Sequence, residues 1–220
     1  MSKINIAIDG PAGAGKSTIA KKIAKALEII YVDTGAMYRA FGLYCIRNQI
    51  ALDEKSLIDI LDDIHIGIRF ENGEQQVILN NEVVNAFIRD EAVGKMASKV
   101  SAFKQVRLKL VNLQQKLAEK KSVVMDGRDI GTYVLPHADL KIYLTASVDV
   151  RAKRRFDQLQ RKGIHQEYEA IKEDITKRDY RDMNRAFAPL KKADGAVEID
   201  TSVLTIDEVV DKILQLIKTL

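Results

Sequence analysis

The sequence predicts an α/β fold: a doubly wound parallel sheet of five strands, with a small antiparallel sheet inserted and a helical lid. Three observations lead there. Short apolar, β-branched runs alternate along the chain with stretches of helical periodicity, the pattern of a parallel sheet wrapped by helices. Residues 64–84 break that pattern with a period of two. Between the first strand and the first helix lies Gly10-Pro11-Ala12-Gly13-Ala14-Gly15-Lys16-Ser17, a full match to G-x-x-x-x-G-K-[ST], which makes the sheet one of the P-loop NTPase type.

The elements follow in order. Ile4, Ile6 and Ile8, with Ala7 between, form a buried strand that ends at Asp9. After the glycine-rich turn, Ile19, Ala20, Ile23, Ala24 and Leu27 give a helix its apolar stripe. Strand, loop and helix are the context a phosphate-binding loop requires. Its glycines allow φ > 0 and bring backbone N–H groups close to phosphate oxygens, and the helix N-terminus adds partial positive charge. Lys16 is placed to reach the β- and γ-phosphates of a nucleotide, and the Ser17 hydroxyl to hold Mg²⁺.

Residues 29–32 read as a second strand, which delivers Asp33-Thr34-Gly35-Ala36-Met37-Tyr38-Arg39. Thr34 is the expected N-cap of a helix running to about residue 48. A short helix is expected over residues 55–62. The alternation of His65-Ile66-Gly67-Ile68-Arg69-Phe70, the turn Asn72-Gly73 and the return over residues 76–79 predict a hairpin, with a further strand at Glu82-Val83-Val84. Helices follow at residues 89–100 and 103–120. Residues 123–125, 140–144 and 196–199 supply strands three to five, and a helix starts near Val148. Val209, Ile213, Leu216 and Ile217 stripe the last helix. In a doubly wound sheet ligands bind beyond the carboxyl ends of the strands. Asp33-Thr34-Gly35, Asp126-Gly127-Arg128-Asp129 and Asp200-Thr201-Ser202 all stand directly after strands, so they are expected at one edge.

Composition bounds the function. At 220 residues, 46% hydrophobic and 30% charged, the chain is an ordinary globular protein, read as a single domain over residues 1–220. No apolar run reaches the roughly 18 residues of a membrane span, and no leader precedes the first strand, so a soluble, cytoplasmic protein is expected. A single cysteine, Cys45, excludes an internal disulfide and reads as a core residue. His65, His137 and His165 are scattered and supply no zinc cluster. The net charge of +4 suits anionic ligands without choosing between nucleotides and nucleic acid.

Two groups of arginines carry more. Arg151, Arg154 and Arg155 stand at i, i+3 and i+4 on one predicted helix, where like charges repel by a few tenths of a kcal/mol. Both a solvated basic face and a polyphosphate-facing row fit that spacing. Arg178, Asp182 and Arg185, at i, i+4 and i+7, are expected on one helix face, either as a surface ion pair of little worth or as a row facing the cleft.

Taken together, IDGPAGAGKST, DTGAMYR, MDGRDIGT, RAKRR and RDYRDMNRAFAPL resemble, in order and spacing, the bacterial cytidylate kinases, P-loop nucleoside monophosphate kinases. The resemblance covers essentially the whole chain. It implies a core of residues 1–32 and 121–220, a monophosphate-binding region of residues 33–120 that includes the small sheet, and a lid at about 151–168. It implies transfer of the γ-phosphoryl group of ATP to CMP and dCMP by a monomer acting on free nucleotides rather than nucleic acid or membrane. Gly10, Pro11, Ala12, Gly13, Ala14, Gly15, Lys16, Ser17 and Thr18 would hold the ATP phosphates and Mg²⁺, the last through Ser17. Thr34, Tyr38, Arg39, Asp126 and Arg128 would line the acceptor, with Arg39 and Arg128 gripping its phosphate. Ser98, Arg107 and Asp129 would contact the cytosine. Arg178 and Asp182 would contact the ribose, Arg185 would bridge toward base or phosphate, and Arg151, Arg154 and Arg155 would close over ATP.

The physical reading supports the same chemistry. Phosphoryl transfer is largely positioning plus electrostatic stabilisation. A nucleoside monophosphate has a second pKa near 6 and is already ionised at neutral pH, so no general base is needed. Other P-loop kinases, acting on UMP, dTMP or shikimate, remain open on the loop alone. A GTPase is disfavoured because Thr176-Lys177-Arg178-Asp179 matches a guanine-reading pattern only inside a predicted helix.

Overall fold

A computed structural model describes residues 3–71 and 73–220. The chain divides into two compact units: residues 1–29 with 122–220, and residues 30–121.

The first unit is built on parallel strands. β1 (Asn5–Asp9) lies between β6 (Val123–Gly127) and β7 (Leu140–Thr145), and β8 (Val197–Asp200) pairs with β7. The central strand is apolar on both faces: Ile6, Ala7 and Ile8 are wholly buried, as expected of a strand covered on two sides. Helix α1 (Lys16–Ala26) turns Ile19, Ala20, Ile23 and Ala24 inward, and α8 (Ile206–Ile217) packs beside it. α8 opens with a capping box in which Thr205 and Glu208 serve each other's backbone N–H, a T-x-x-E signal legible in the sequence. Helices α6 (Val148–Arg161) and α7 (Tyr168–Asn184) pair through Ala152, Leu159, Ile171 and Ile175.

The second unit begins with β2 (Ile30–Asp33) and α2 (Thr34–Arg47). Short α3 (Glu54–Asp59) leads to an antiparallel sheet of β3 (Ile66–Glu71), β4 (Glu74–Leu79) and β5 (Glu82–Val83). Of the expected turn, Asn72 lies outside the described residues; Gly73 takes φ +77°, and the register closes at the Glu71–Glu74 pair. Helices α4 (Glu91–Val100) and α5 (Lys104–Lys120) complete the unit. Met37, Phe41, Val77, Leu79, Val93, Val106 and Leu110 form its core, with Cys45 buried among them.

Local corrections matter for the site. The N-cap of α2 is Asp33, whose carboxylate accepts from the Ala36 N–H, while Thr34 is already helical. Strand β6 extends beyond its apolar run through Asp126 and Gly127, which pair in register with Ile8 and Asp9. Helix α7 ends at Asn184, so Arg185 stands beyond it in extended conformation rather than on its face. A single π turn, Ile130–Val134, follows Asp129.

Candidate active site

The phosphate loop leaves β1 at Gly10, whose φ of +145° is closed to other residues. A Cβ there would stand 1.9 Å from the Leu144 carbonyl oxygen on β7. Gly15, at φ +89°, is the N-cap of α1 and brings no side chain to its first N–H groups. Those donors therefore stay available for an anion. The loop carbonyls are held from behind: Arg151 donates to Ala12 O at 3.1 Å, and the Thr201 hydroxyl lies 3.3 Å from Ala14 O. Pro11 and Ala14 are buried, Ala12 is half-buried, and Gly13 and Thr18 are exposed.

Lys16 is only 5% exposed, and its Nζ donates to Pro11 O at 2.6 Å. Burial and the nearby Arg128 guanidinium press its ammonium well below its ordinary pKa, against the pull of Asp126 and Asp9. Ser17 Oγ donates to Asp126 Oδ2 at 2.8 Å. No group of three or more His, Cys, Asp or Glu residues able to hold a metal ion occurs among the described residues. A hydroxyl and a carboxylate oxygen are nonetheless hard donors of the kind Mg²⁺ takes alongside water and phosphate.

Beyond the strands lies a cluster of arginines and acids. Arg128 Nε donates to Asp182 Oδ2 at 2.9 Å, and Arg178 approaches the same oxygen at 3.9 Å. Asp182 is buried; burial pushes its carboxyl up, but Arg128 and Arg178 outweigh that and hold it below the usual range. Burial works against the Arg128 charge, but Asp182, with Asp126 and Asp179, raises its pKa in turn. This pair is therefore no surface salt bridge. Arg185 reaches Asp129 at 3.4 Å and donates to Ala188 O at 2.6 Å. Thus Asp182 orients Arg128.

Arg151, Arg154 and Arg155 of α6 do not form one row. Arg151 is buried, pairs with Asp179 of α7, and also donates to Ala146 O. Arg154 donates to the hydroxyl and carbonyl of Thr201, and Arg155 to Gln158. Thr201 stands in a strand-end motif expected at the ligand edge, but its bond to Arg154 and that of Asp179 to Arg151 span 47 and 28 residues, a separation that leaves no local trace.

The remaining candidates belong to the second unit. Thr34 is buried at the start of α2, and Tyr38 and Arg39 follow on its first turns. Arg39 Nη1 donates to Ile88 O at 3.1 Å and lies over Gly94 of α4, where a Cβ would stand 3.1 Å away. Arg107, 1% exposed, places its guanidinium carbon 5.4 Å from the centre of the Tyr38 ring and donates to Ser101 O at 3.2 Å. The Ser98 hydroxyl is buried with no partner among the described residues. Such an orphan is expected where a polar ligand completes the site.

The family model described as cytidylate kinase matches residues 6–219. A cytidylate kinase from Caldicellulosiruptor bescii is 52% identical over 217 residues, covering 98% of this chain and 96% of its own. One from Halalkalibacterium halodurans is 50% identical over 219 residues, covering 99% of each. An uncharacterized protein from Eubacterium ventriosum superposes with a TM-score of 0.54 at 18% identity, over 99% of this chain and 100% of its own, which shows the fold alone. With its full-length family match and half its residues shared with these relatives, this chain belongs to the cytidylate kinase family.

Proposed function

We propose that the chain transfers the γ-phosphoryl group of ATP to CMP and dCMP, through charge placement and without a general base. The observation that carries the mechanism is the pairing of Lys16, Ser17 and Asp126 at the phosphate loop with Arg128 held by Asp182 in the same unit. Lys16 and the loop amides serve the donor phosphates. Ser17 and Asp126 are the residues that would hold Mg²⁺, which supplies charge neutralisation on the phosphates when bound. The proton on Lys16, loosened by burial, is expected to be secured by the polyphosphate anion.

The acceptor is assigned by resemblance, residue by residue. Arg39 and Arg128 take its phosphate; Thr34, Tyr38 and Asp126 line that region; Arg178 and Asp182 meet the ribose; and Arg185 bridges. Asp129 accepts from the cytosine amino group, while Arg107 and the Ser98 hydroxyl donate to its acceptor atoms. The buried, unpartnered Ser98 hydroxyl supports that last role. Uracil would turn a carbonyl toward the carboxylate, so CMP is preferred over UMP. Arg154 and Arg155 serve the ATP side with Arg151 behind the loop. No helix among the described residues is long and apolar enough to cross a membrane. The protein is proposed to work in the cytoplasm as a monomer on free nucleotides rather than nucleic acid, which light scattering and a salt-dependent shift assay check. A coupled assay with ATP against CMP, dCMP, UMP, AMP and dTMP tests the reaction; turnover of another acceptor in preference to CMP and dCMP would sink it.

A further inference from the structure

Asp9 has no part in the chemistry above, yet few acids are placed as it is. It is 3% exposed at the end of β1, directly before Gly10, and pairs in register with Gly127 at the end of β6. From that level the two strands diverge, β1 into the phosphate loop and β6 into Arg128 and Asp129. The Asp9 carboxylate spans the divergence: Oδ1 accepts from the Ile130 N–H at 2.8 Å and Oδ2 from the Gly131 N–H at 2.7 Å. Both donors immediately follow Asp129. The turn is closely packed there, since a Cβ on Gly131 would stand 3.4 Å from Asp9 Oδ2, 3.4 Å from the Lys141 stem and 3.3 Å from Ala193.

We propose that Asp9 is a positioning residue for the transfer: by holding the Ile130 and Gly131 amides it fixes Arg128 and Asp129 against the phosphate loop. The inference rests on the acceptor roles proposed above. The ionised form suits it, because two oxygens then accept two N–H groups at full strength. Asp129 and Lys16 face this carboxylate from the turn and from α1, and Lys141 and Tyr143 from β7. Burial, with Asp129 beside it, pushes its pKa up to about 7, against the two backbone donors and Lys16. An acid kept in so costly a place needs a reason other than stability.

Asp9→Asn keeps the shape but replaces one acceptor with an NH₂ that opposes an N–H. The expected result is a fall of about ten- to a hundredfold in kcat/KM for CMP, the size of one charge-assisted hydrogen bond, with KM for ATP changed less than about twofold. Hydrogen exchange at Ile130 and Gly131 should quicken at least about tenfold beyond any change at the core amides of β7. Unchanged exchange at these amides, or equal losses for CMP and ATP, overturns the proposal. Should the variant not fold, NMR of the unaltered protein decides: the two amide resonances should titrate with the Asp9 carboxyl, and amides that ignore it overturn the idea. An enzyme that accepts no CMP refutes the acceptor reading by itself, while the exchange measurement still judges the anchor.

Discussion

At the residue scale, Lys16 and Arg128 are both buried cations, and their surroundings tell them apart. Lys16 is a buried cation whose protonated form is held by the Pro11 carbonyl and by Asp126 and Asp9 against burial and Arg128, a state suited to polyphosphate binding. Lys16→Ala should fold normally and lose about a thousandfold or more in kcat, since a preorganised charge on the transferring group contributes several kcal/mol. Near-normal turnover in a coupled assay would remove the phosphate loop from the mechanism. Arg128 differs, being fixed by Asp182 at 2.9 Å before any ligand arrives. Arg128→Ala should raise KM for CMP by roughly ten- to a hundredfold while KM for ATP moves little, the loss of one charge-assisted contact to the acceptor phosphate. A rise mainly in KM for ATP would place Arg128 on the donor side.

At the scale of elements, α7 carries two buried acids one turn apart, and they do different work. Asp182 holds Arg128, whereas Asp179 holds Arg151, which also supports Ala12 of the phosphate loop. Removing one member of such a buried pair leaves an uncompensated charge and costs about 3–5 kcal/mol. Asp179→Leu and Arg151→Met should each destabilise by that order in urea melts, and the double variant by clearly less than their sum. Additive losses would mean that the two side chains do not depend on one another. The division between legible and illegible runs through this element. The parallel α/β architecture could be read because buried strands and amphipathic helices leave periods in the chain, and the phosphate loop because its glycines are demanded by φ +145° and +89° at residues 10 and 15. Arg151, Arg154 and Arg155 look alike in sequence; what separates them is Asp179 and Thr201, supplied by distant segments. Arg185 was expected on α7 because no glycine or proline marks the helix end at Asn184. Asp9 passed unnoticed because an acid closing an apolar strand looks like an ordinary strand end.

At the scale of the whole molecule, the buried acids set how folding stability answers to pH. Asp182, held below the usual carboxylate range, contributes stability above its unfolded value that is lost only as pH falls through its folded one, so it is silent near neutrality. Asp9 works in the opposite sense. Its folded pKa of about 7 lies above the ordinary 3.8, so its contribution is fully present below about 3.8 and is lost as pH rises through 7. Between pH 5.5 and 8 the unfolded chain has already released this proton while the native chain still gives it up. At 1.36 kcal/mol per pKa unit, the linkage lowers native stability by about 2 kcal/mol over that window. Asp9→Asn cannot titrate and lacks this slope. Urea denaturation of both proteins at pH 5.5 and pH 8 isolates the effect, because every other ionisable group is common to the two. The difference in unfolding free energy, native sequence minus variant, should fall by about 2 kcal/mol from the lower pH to the higher. A difference that stays constant would mean that Asp9 is ionised throughout, with its two backbone donors and Lys16 outweighing its burial.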